Sequence, residues 1–284
     1  KNGYQSYSYQ TDAVKQALAC LESYNGVIIA DVVGLGKSVI SSLIIHELGR
    51  HTSGIIVATP GLIGEKGSSG WTKYSEDFDF SHWKIISSGS IESELEFFQK
   101  ETNRDKYQYV LVDEAHNFRN EDTQRYEALS MLCKNRKVIL LSATPFNNSP
   151  SDFFSLVKLF DTPKQSQISL DGDLDTLFSF FKSDFDKLAQ IRKGMSLTST
   201  DKDRKTAEKL YTQYVDKNLP IDLEKVNEQA RQLSAQVRSV IEPVLIRRNR
   251  KDLQLDPDYR KDIPETSKVC DPEAQFFSLT PEQS

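Results

Sequence analysis

Cysteine is scarce in this chain of 284 residues, with three in all. Cys20, Cys133 and Cys270 lie far apart, and no Cys-x-x-Cys or Cys/His spacing accompanies them. That excludes a disulfide framework and a zinc site, and it fits a reducing compartment. No uninterrupted apolar run approaches the ~20 residues that span a bilayer. The polar, tyrosine-rich residues 1–10 lack the apolar core of a signal peptide. An excess of positive charge is missing too. The formal net charge of −5 excludes a uniformly basic nucleic-acid binder, though not a local basic surface. There is no internal repeat, and glycine is absent after Gly194.

What is present is an alternation. Short apolar runs at 27–30, 55–58, 84–87, 109–113 and 138–142 are separated by stretches of helical period. Residues 11–24 put Val14, Leu18 and Leu21 on one face, and 39–48 group Ile40, Leu43, Ile44 and Leu48. Residues 91–100 and 122–133 read the same way. Strands joined by helix-length crossovers predict an α/β fold with a parallel sheet flanked by helices. Ligands of such sheets bind at the carboxyl ends of the strands. Residues 60–70 carry four glycines (Gly61, Gly64, Gly67, Gly70) and read as a flexible surface loop.

After residue 171 charged helical patterns dominate. Residues 174–188 align Leu174, Leu177, Phe178, Phe181, Phe185 and Leu188, and 221–246 form a second long candidate helix broken near Pro243. Residues 195–205 read as a mobile polar link, and the proline-bearing stretch 256–284 as an extended connector. The expected division is a first lobe at 1–165, a helical appendage at 166–250 and a linker at 251–284.

Three motifs carry chemistry. Residues 27–38 read V-I-I-A-D-V-V-G-L-G-K-S, an apolar run ending in Gly34, Leu35, Gly36, Lys37 and Ser38. This is a phosphate loop between strand and helix: backbone N–H groups and the helix dipole face an anion. Lys37 is placed for the β- and γ-phosphates, and the Ser38 hydroxyl for Mg²⁺. Asp31 stands where the common pattern has its first glycine. Residues 109–116, Y-V-L-V-D-E-A-H, deliver two carboxylates at a strand end. Asp113 is suited to hold Mg²⁺, and Glu114 to orient and deprotonate a water. His116 either couples nucleotide state to another element or is a satisfied histidine. Residues 138–148 end a third apolar run in Ser142-Ala143-Thr144. The hydroxyls of Ser142 and Thr144 either report hydrolysis or mark a turn stopped by Pro145. Lys134, Arg136 and Lys137 read as surface charge before a strand.

Together these motifs resemble the first RecA-like motor domain of superfamily-two helicases, and more narrowly the Swi/Snf-type DNA translocases. That branch reads A-D-E-M-G-L-G-K-T, against Ala30-Asp31-Val32-Val33-Gly34-Leu35-Gly36-Lys37-Ser38 here. Its D-E-A-H, its T-G-T-P-x-x-N-N and its late P-F-x-L-R-R segments correspond to 113–116, 142–148 and 243–248. The resemblance implies ATP and Mg²⁺ as cofactors and DNA, in duplex form, as partner. It implies that Gln10 reads the adenine edge, that Thr59 and Pro60 grip a nucleic-acid backbone, and that Ser88 is a companion contact. It implies a second RecA-like lobe supplying arginine fingers, so that this chain alone hydrolyses ATP poorly. The run Arg247, Arg248, Arg250, Lys251 reads as a phosphate contact, a brace between motor halves, or a solvated helix end. The appendage has mixed charge, and a protein partner is as compatible as nucleic acid. No membrane role is expected, and the location expected is the cytoplasm of a bacterium, in association with the nucleoid. Two alternatives stand: the motor part of a restriction or phage-defence complex, and a nucleotide-gated interaction module.

Overall fold

A computed structural model describes residues 3–143, 150–162, 166, 168, 173–196 and 198–263. The chain runs α1 (Ser8–Tyr24), β1 (Gly26–Ile29), α2 (Lys37–Leu48), β2 (Ser53–Ala58), α3 (Pro60–Ile63), α4 (Gly70–Asp77) and β3 (Lys84–Ser87). It continues through α5 (Ile91–Gln99), α6 (Glu101–Lys106), β4 (Tyr107–Val112), α7 (Gln124–Cys133), β5 (Lys137–Leu141) and α8 (Pro150–Val157). Then follow α9 (Leu174–Gly194), α10 (Asp201–Tyr214), α11 (Leu223–Ile241), β6 (Leu245–Ile246) and α12 (Arg250–Leu255).

The six strands form one sheet in the order β3-β2-β4-β5-β1-β6, and every pairing is parallel. Period-two alternation sorts the side chains. Ile28, Ile55, Val57, Val110, Val112, Val138 and Leu140 face one apolar cluster, shared with α5, α7, α8, α9 and α11. Val27, Ile29, Ile56, Ala58, Leu111, Ile139 and Leu141 face a second, covered by α1, α2 and α4. A parallel sheet buried on both faces needs continuous apolar strands, and that is why the five runs stood out in the sequence.

The sixth strand escaped the sequence reading. Residues 221–246, expected as a long helix broken near Pro243, are α11, a short 3₁₀ turn at Glu242–Val244 where the break was expected, and β6 pairing Leu245 and Ile246 with Ile28 and Ile29. Two residues are too few to show any period. The chain therefore returns to the lobe's sheet inside the span assigned to the appendage. The appendage also shares the lobe's core: the Phe154 and Phe178 rings stack with centroids 3.6 Å apart.

Three other expectations are corrected. Residues 195–205 are no mobile link throughout, because α10 starts at Asp201 on a capping box in which Thr200 and Asp203 bond reciprocally. Residues 60–70 are not loop throughout. They open with α3, capped by Thr59 with Pro60 at its first position. Gly64 (φ 76°) and Gly70 (φ 63°) then let two stretches of backbone touch. A Cβ on Gly64 would lie 2.1 Å from the Ser69 carbonyl oxygen, and one on Gly70 2.5 Å from that of Leu62. Arg136 is not surface charge. It is 5 % exposed and donates to the carbonyls of Tyr107, Leu132 and Phe98 at 2.7, 2.5 and 2.7 Å. It serves backbone groups that the start of β4, the end of α5 and the last turn of α7 leave unpaired.

Candidate functional site

The carboxyl ends of β1, β4, β5, β2 and β3 open onto one edge of the sheet and present Asp31, Asp113, Ser142, Thr59 and Ser88. A groove of about 1130 Å³ lies at the opposite, amino ends of β4 and β5, beside Gln108 and Lys137, and holds none of these residues.

β1 feeds the phosphate loop. Gly34 and Gly36 take φ of 87° and 83°, left-handed values that L side chains adopt at a cost of ~1–2 kcal/mol. Gly36 is the N-cap of α2, with Lys37 and Ser38 in its first turn. Lys37 Nζ donates to the Asp31 carbonyl at 2.9 Å, curling the side chain across the loop. Gln10 lies beneath it, 5 % exposed. Its Nε2 donates to the Leu35 carbonyl at 3.2 Å, and the Tyr9 hydroxyl donates to the same oxygen at 3.3 Å. Gln10 thus props the loop from below.

Asp31, wholly buried, explains its own departure from glycine. Its Oδ1 accepts from the Arg248 backbone N–H at 2.8 Å and from Arg248 Nε at 3.2 Å, and its Oδ2 from Nη2 at 2.5 Å. Arg248 Nη1 reaches the Tyr9 carbonyl, and the guanidinium lies 5.5 Å from the Tyr9 ring centroid. Of the three readings of the basic run, Arg248 follows none: it braces the phosphate loop from the stretch that follows β6. Arg250 differs again. It is exposed, and its Nη2 sits 2.6 Å from where a Gly34 Cβ would be. Its guanidinium has no hydrogen-bond or ion-pair partner among the described residues, so a second cation lies at the loop beside Lys37. Beyond it Leu253, Tyr259 and Ile263 pack on Tyr7, Tyr9 and Leu35. Tyr259 Oη donates to Asp12 and the Ser8 N–H to Asp262, at 3.0 and 2.6 Å.

Asp113 follows β4, its N–H donating to the Val57 carbonyl at 2.8 Å. Burial pushes its carboxyl up from the ordinary value. The Trp71 indole N–H and the Glu114 N–H work the other way, as does the charge of Lys37. Trp71 Nε1 donates to Asp113 Oδ2 at 2.8 Å, with the indole 1 % exposed. A buried bond to a charged group contributes ~1.5–3 kcal/mol. Glu114 adopts φ 51°, an uncommon value for a side chain with a Cβ and one that gathers at functional sites. Glu114 Oε2 lies 3.0 Å from His116 Nδ1, yet neither atom has a well-directed hydrogen bond among the described residues. The two groups are adjacent without being locked together.

Ser142 is buried, with its N–H on the Ile29 carbonyl at 3.1 Å, which ties β5's end to β1. Thr144 lies outside the described residues. Ser88 is 7 % exposed and donates its N–H to the Ala58 carbonyl at 2.8 Å. Pro60, Ser88, Gly89 and Arg125 line a cleft of about 420 Å³, and Arg125 Nη2 lies 3.3 Å from Ser88 Oγ. The structure therefore gathers Gln10, Gly34–Ser38, Asp113, Glu114 and His116 on one side, and Thr59, Pro60 and Ser88 on the other.

Trp71 and Arg125 were missed in the sequence, whereas Arg250 stood in the basic run that had a phosphate contact among its readings. The first two share one reason. Each is an isolated residue whose partner lies far along the chain, and no spacing marks it. For Trp71 the only signal was a tryptophan directly after a glycine-rich stretch.

The donors available for a cation at the loop are a serine hydroxyl and a carboxylate. These hard oxygens suit Mg²⁺ completed by phosphate oxygens and water. No group of three or more His, Cys, Asp or Glu forms a metal cage among the described residues. No helix among them is long and apolar enough to cross a membrane.

Comparisons with known proteins bear on the fold and the family. The fold is similar to that of a solved structure, the Sulfolobus solfataricus SWI2/SNF2 ATPase core in complex with dsDNA. The match has a TM-score of 0.59 at 14 % identity and covers 92 % of this chain and 47 % of that one. The chain is 27 % identical over 234 residues to a DNA repair and recombination protein RAD54-like of Drosophila willistoni, covering 70 % of this chain and 28 % of that protein. It is 28 % identical over 254 residues to helicase SWR1 of Candida glabrata, covering 77 % and 17 %. The chain thus spans less than a third of these relatives' length, and they lend no support to a bacterial origin. Residues 82–270 match the SNF2-related domain, a span that starts after the phosphate loop and includes Asp113, Glu114 and Arg248. With most of its length inside that match, the chain belongs to the SNF2-related domain family.

Proposed function

We propose that this chain is the ATP-binding lobe of a motor that couples Mg·ATP hydrolysis to movement on duplex DNA. The observation that carries the reading is the convergence at one sheet edge. A phosphate loop with two left-handed glycines stands beside a buried aspartate that senses the charge of Lys37.

In this reading the loop amides and Lys37 hold the β- and γ-phosphates, and Arg250 adds a second positive charge at the loop mouth. Gln10 keeps the loop's shape while its amide faces the adenine edge. Ser38 and Asp113 hold Mg²⁺, which when bound neutralises charge on the phosphates. Glu114 orients and deprotonates the attacking water. His116, Ser142 and Thr144 pass nucleotide state onward, and Thr59, Pro60 and Ser88 hold the DNA backbone through hydroxyls and loop amides. The division into a first lobe (1–165), an appendage (166–250) and a connector (251–284) belongs to the same proposal, as does a cytoplasmic location. A second RecA-like lobe supplies the arginine fingers. In phosphoryl transfer such an arginine contributes a factor of ~10³–10⁵, so this chain alone turns over slowly.

The test is a pair of variants. Lys37→Ala abolishes ATP binding in this chain. Glu114→Gln retains binding and stops DNA-stimulated hydrolysis in the two-lobe protein. Normal turnover by the Glu114→Gln protein refutes its role as the base, and undiminished ATP binding by Lys37→Ala refutes the phosphate site.

A further inference from the structure

Thr59 and Pro60 are joined through residues 61–70 to Trp71, which bonds to Asp113. Thr59 caps α3, its carbonyl accepting from the Leu62 N–H at 2.9 Å. The backbone then closes on itself. Built Cβ atoms on Gly64 and Gly70 would fall 2.1 to 2.7 Å from backbone atoms of residues 62–64, 69 and 70. Thr72 Oγ1 spans the crossing, donating to the Ile63 and Ser69 carbonyls at 3.1 and 3.0 Å. One residue before Thr72, Trp71 delivers its N–H to the carboxylate of Asp113 at 2.8 Å. The indole is packed edge-on to Tyr74 with centroids 5.8 Å apart. The two ends of the segment, 62–64 and 69–70, are thus in backbone contact with each other, while 65–69 lie exposed.

We propose that Trp71 is a positioning residue that couples DNA contact at Thr59 and Pro60 to the orientation of the Asp113 carboxylate. The inference rests on the reading of Asp113 as the Mg²⁺ ligand and of Thr59 and Pro60 as the DNA contact. When a backbone phosphate seats on the α3 end, the α3–α4 unit shifts as one body. The indole N–H then re-aims Oδ2, the atom it holds. Asp113 has a second tether to the same region, its own N–H on the Val57 carbonyl of β2. That bond fixes the main chain; the carboxylate itself is held on Oδ1 by the Glu114 N–H at 2.9 Å and on Oδ2 by Trp71, whose bond is the one that leads to the α3–α4 segment.

Coupling of this kind is measurable without turnover, because linkage is reciprocal. If Mg·nucleotide changes DNA affinity by a factor, DNA changes nucleotide affinity by the same factor, typically 5–150-fold. The experiment titrates this chain with a fluorescent 20-base-pair duplex, with and without saturating Mg²⁺ and a non-hydrolysable ATP analogue. The wild type is expected to show a ratio of about fivefold or more. Trp71→Phe, which keeps a ring and removes the N–H, brings the ratio to about one. The ratio is read at saturating Mg·nucleotide, so that a weaker nucleotide affinity of the variant does not by itself move it, and the variant's affinity for duplex alone stays within about twofold of wild type. Thr72→Val, which touches neither Asp113 nor the indole N–H, reduces the ratio in the same direction and stands in should Trp71→Phe fail to fold. Trp83→Phe is the control: the buried Trp83 Nε1 has no hydrogen-bond partner among the described residues, and its loss leaves the ratio unchanged. A wild-type ratio retained by both Trp71→Phe and Thr72→Val overturns the proposal, and so does a wild-type ratio of one. A wild type that binds neither duplex nor nucleotide instead overturns the functional reading on which this one stands.

Discussion

Asp31 and Arg248 meet through three hydrogen bonds, two from the guanidinium and one from the Arg248 backbone N–H. The carboxylate is wholly buried, whereas the arginine side chain is 16 % exposed. Removing one partner of such a pair leaves a buried charge without its counterion, at a cost of ~3–5 kcal/mol. Arg248→Met is therefore expected to lower unfolding free energy by about that amount and to weaken ATP binding, as read by denaturant titration and nucleotide titration. The double variant Asp31→Leu/Arg248→Met removes both charges and recovers much of the stability.

Arg250 calls for the opposite balance. Its guanidinium is exposed, so Arg250→Ala leaves stability within ~0.5 kcal/mol. If it contacts phosphate, the loss of a charge-assisted bond weakens Mg·ATP binding about tenfold or more. Adenosine, which lacks phosphates, binds the variant as it binds the wild type. Equal ATP affinity in both proteins removes Arg250 from the site.

Gly36 tests the loop's geometry. An alanine there must adopt φ near 83°, and its Cβ would sit 2.6 Å from Gln10 Nε2. The side-chain amide can swing away, but the backbone strain of ~1–2 kcal/mol remains. Gly36→Ala is expected to lose that much stability and most nucleotide affinity, because the amides no longer converge on the phosphate.

Arg136 is the structural counterpart. Its three carbonyl partners join the start of β4, the end of α5 and the last turn of α7. Leaving buried carbonyls unpaired costs ~1–3 kcal/mol each. Arg136→Ala is expected to lower the thermal midpoint strongly without altering nucleotide affinity in the fraction that stays folded.

Most of the lobe was legible in the sequence because its signals are local. The apolar runs that became β1 to β5 lie within two residues of the observed strands, since a sheet buried on both faces needs continuous apolar stretches. The phosphate loop was legible because its glycines and lysine are adjacent in sequence. What stayed hidden was what depends on distant partners. β6 is two residues long and exists only because β1 offers an edge. The glycines of 60–70 read as flexibility, although Gly64 and Gly70 permit close backbone packing. Arg136 looked like surface charge because its burial is decided by three carbonyls elsewhere in the chain. Trp71 gave no sign of its tie to Asp113, a separation of 42 residues.

The Asp31–Arg248 contact spans 217 residues of sequence, and this bears on the order in which the molecule assembles. Contacts of long sequence separation are slow to form, because loop closure must come before any stabilisation is gained. The glycine motif is encoded near one end of the chain. Its shape is completed only when the stretch after α11 has returned to pair with β1. A chain cut before Leu245 would keep every residue of the motif and still lack the brace that shapes it. The loop's final shape is thus acquired late in folding, once the stretch through Arg248 has been made and has packed back beside β1.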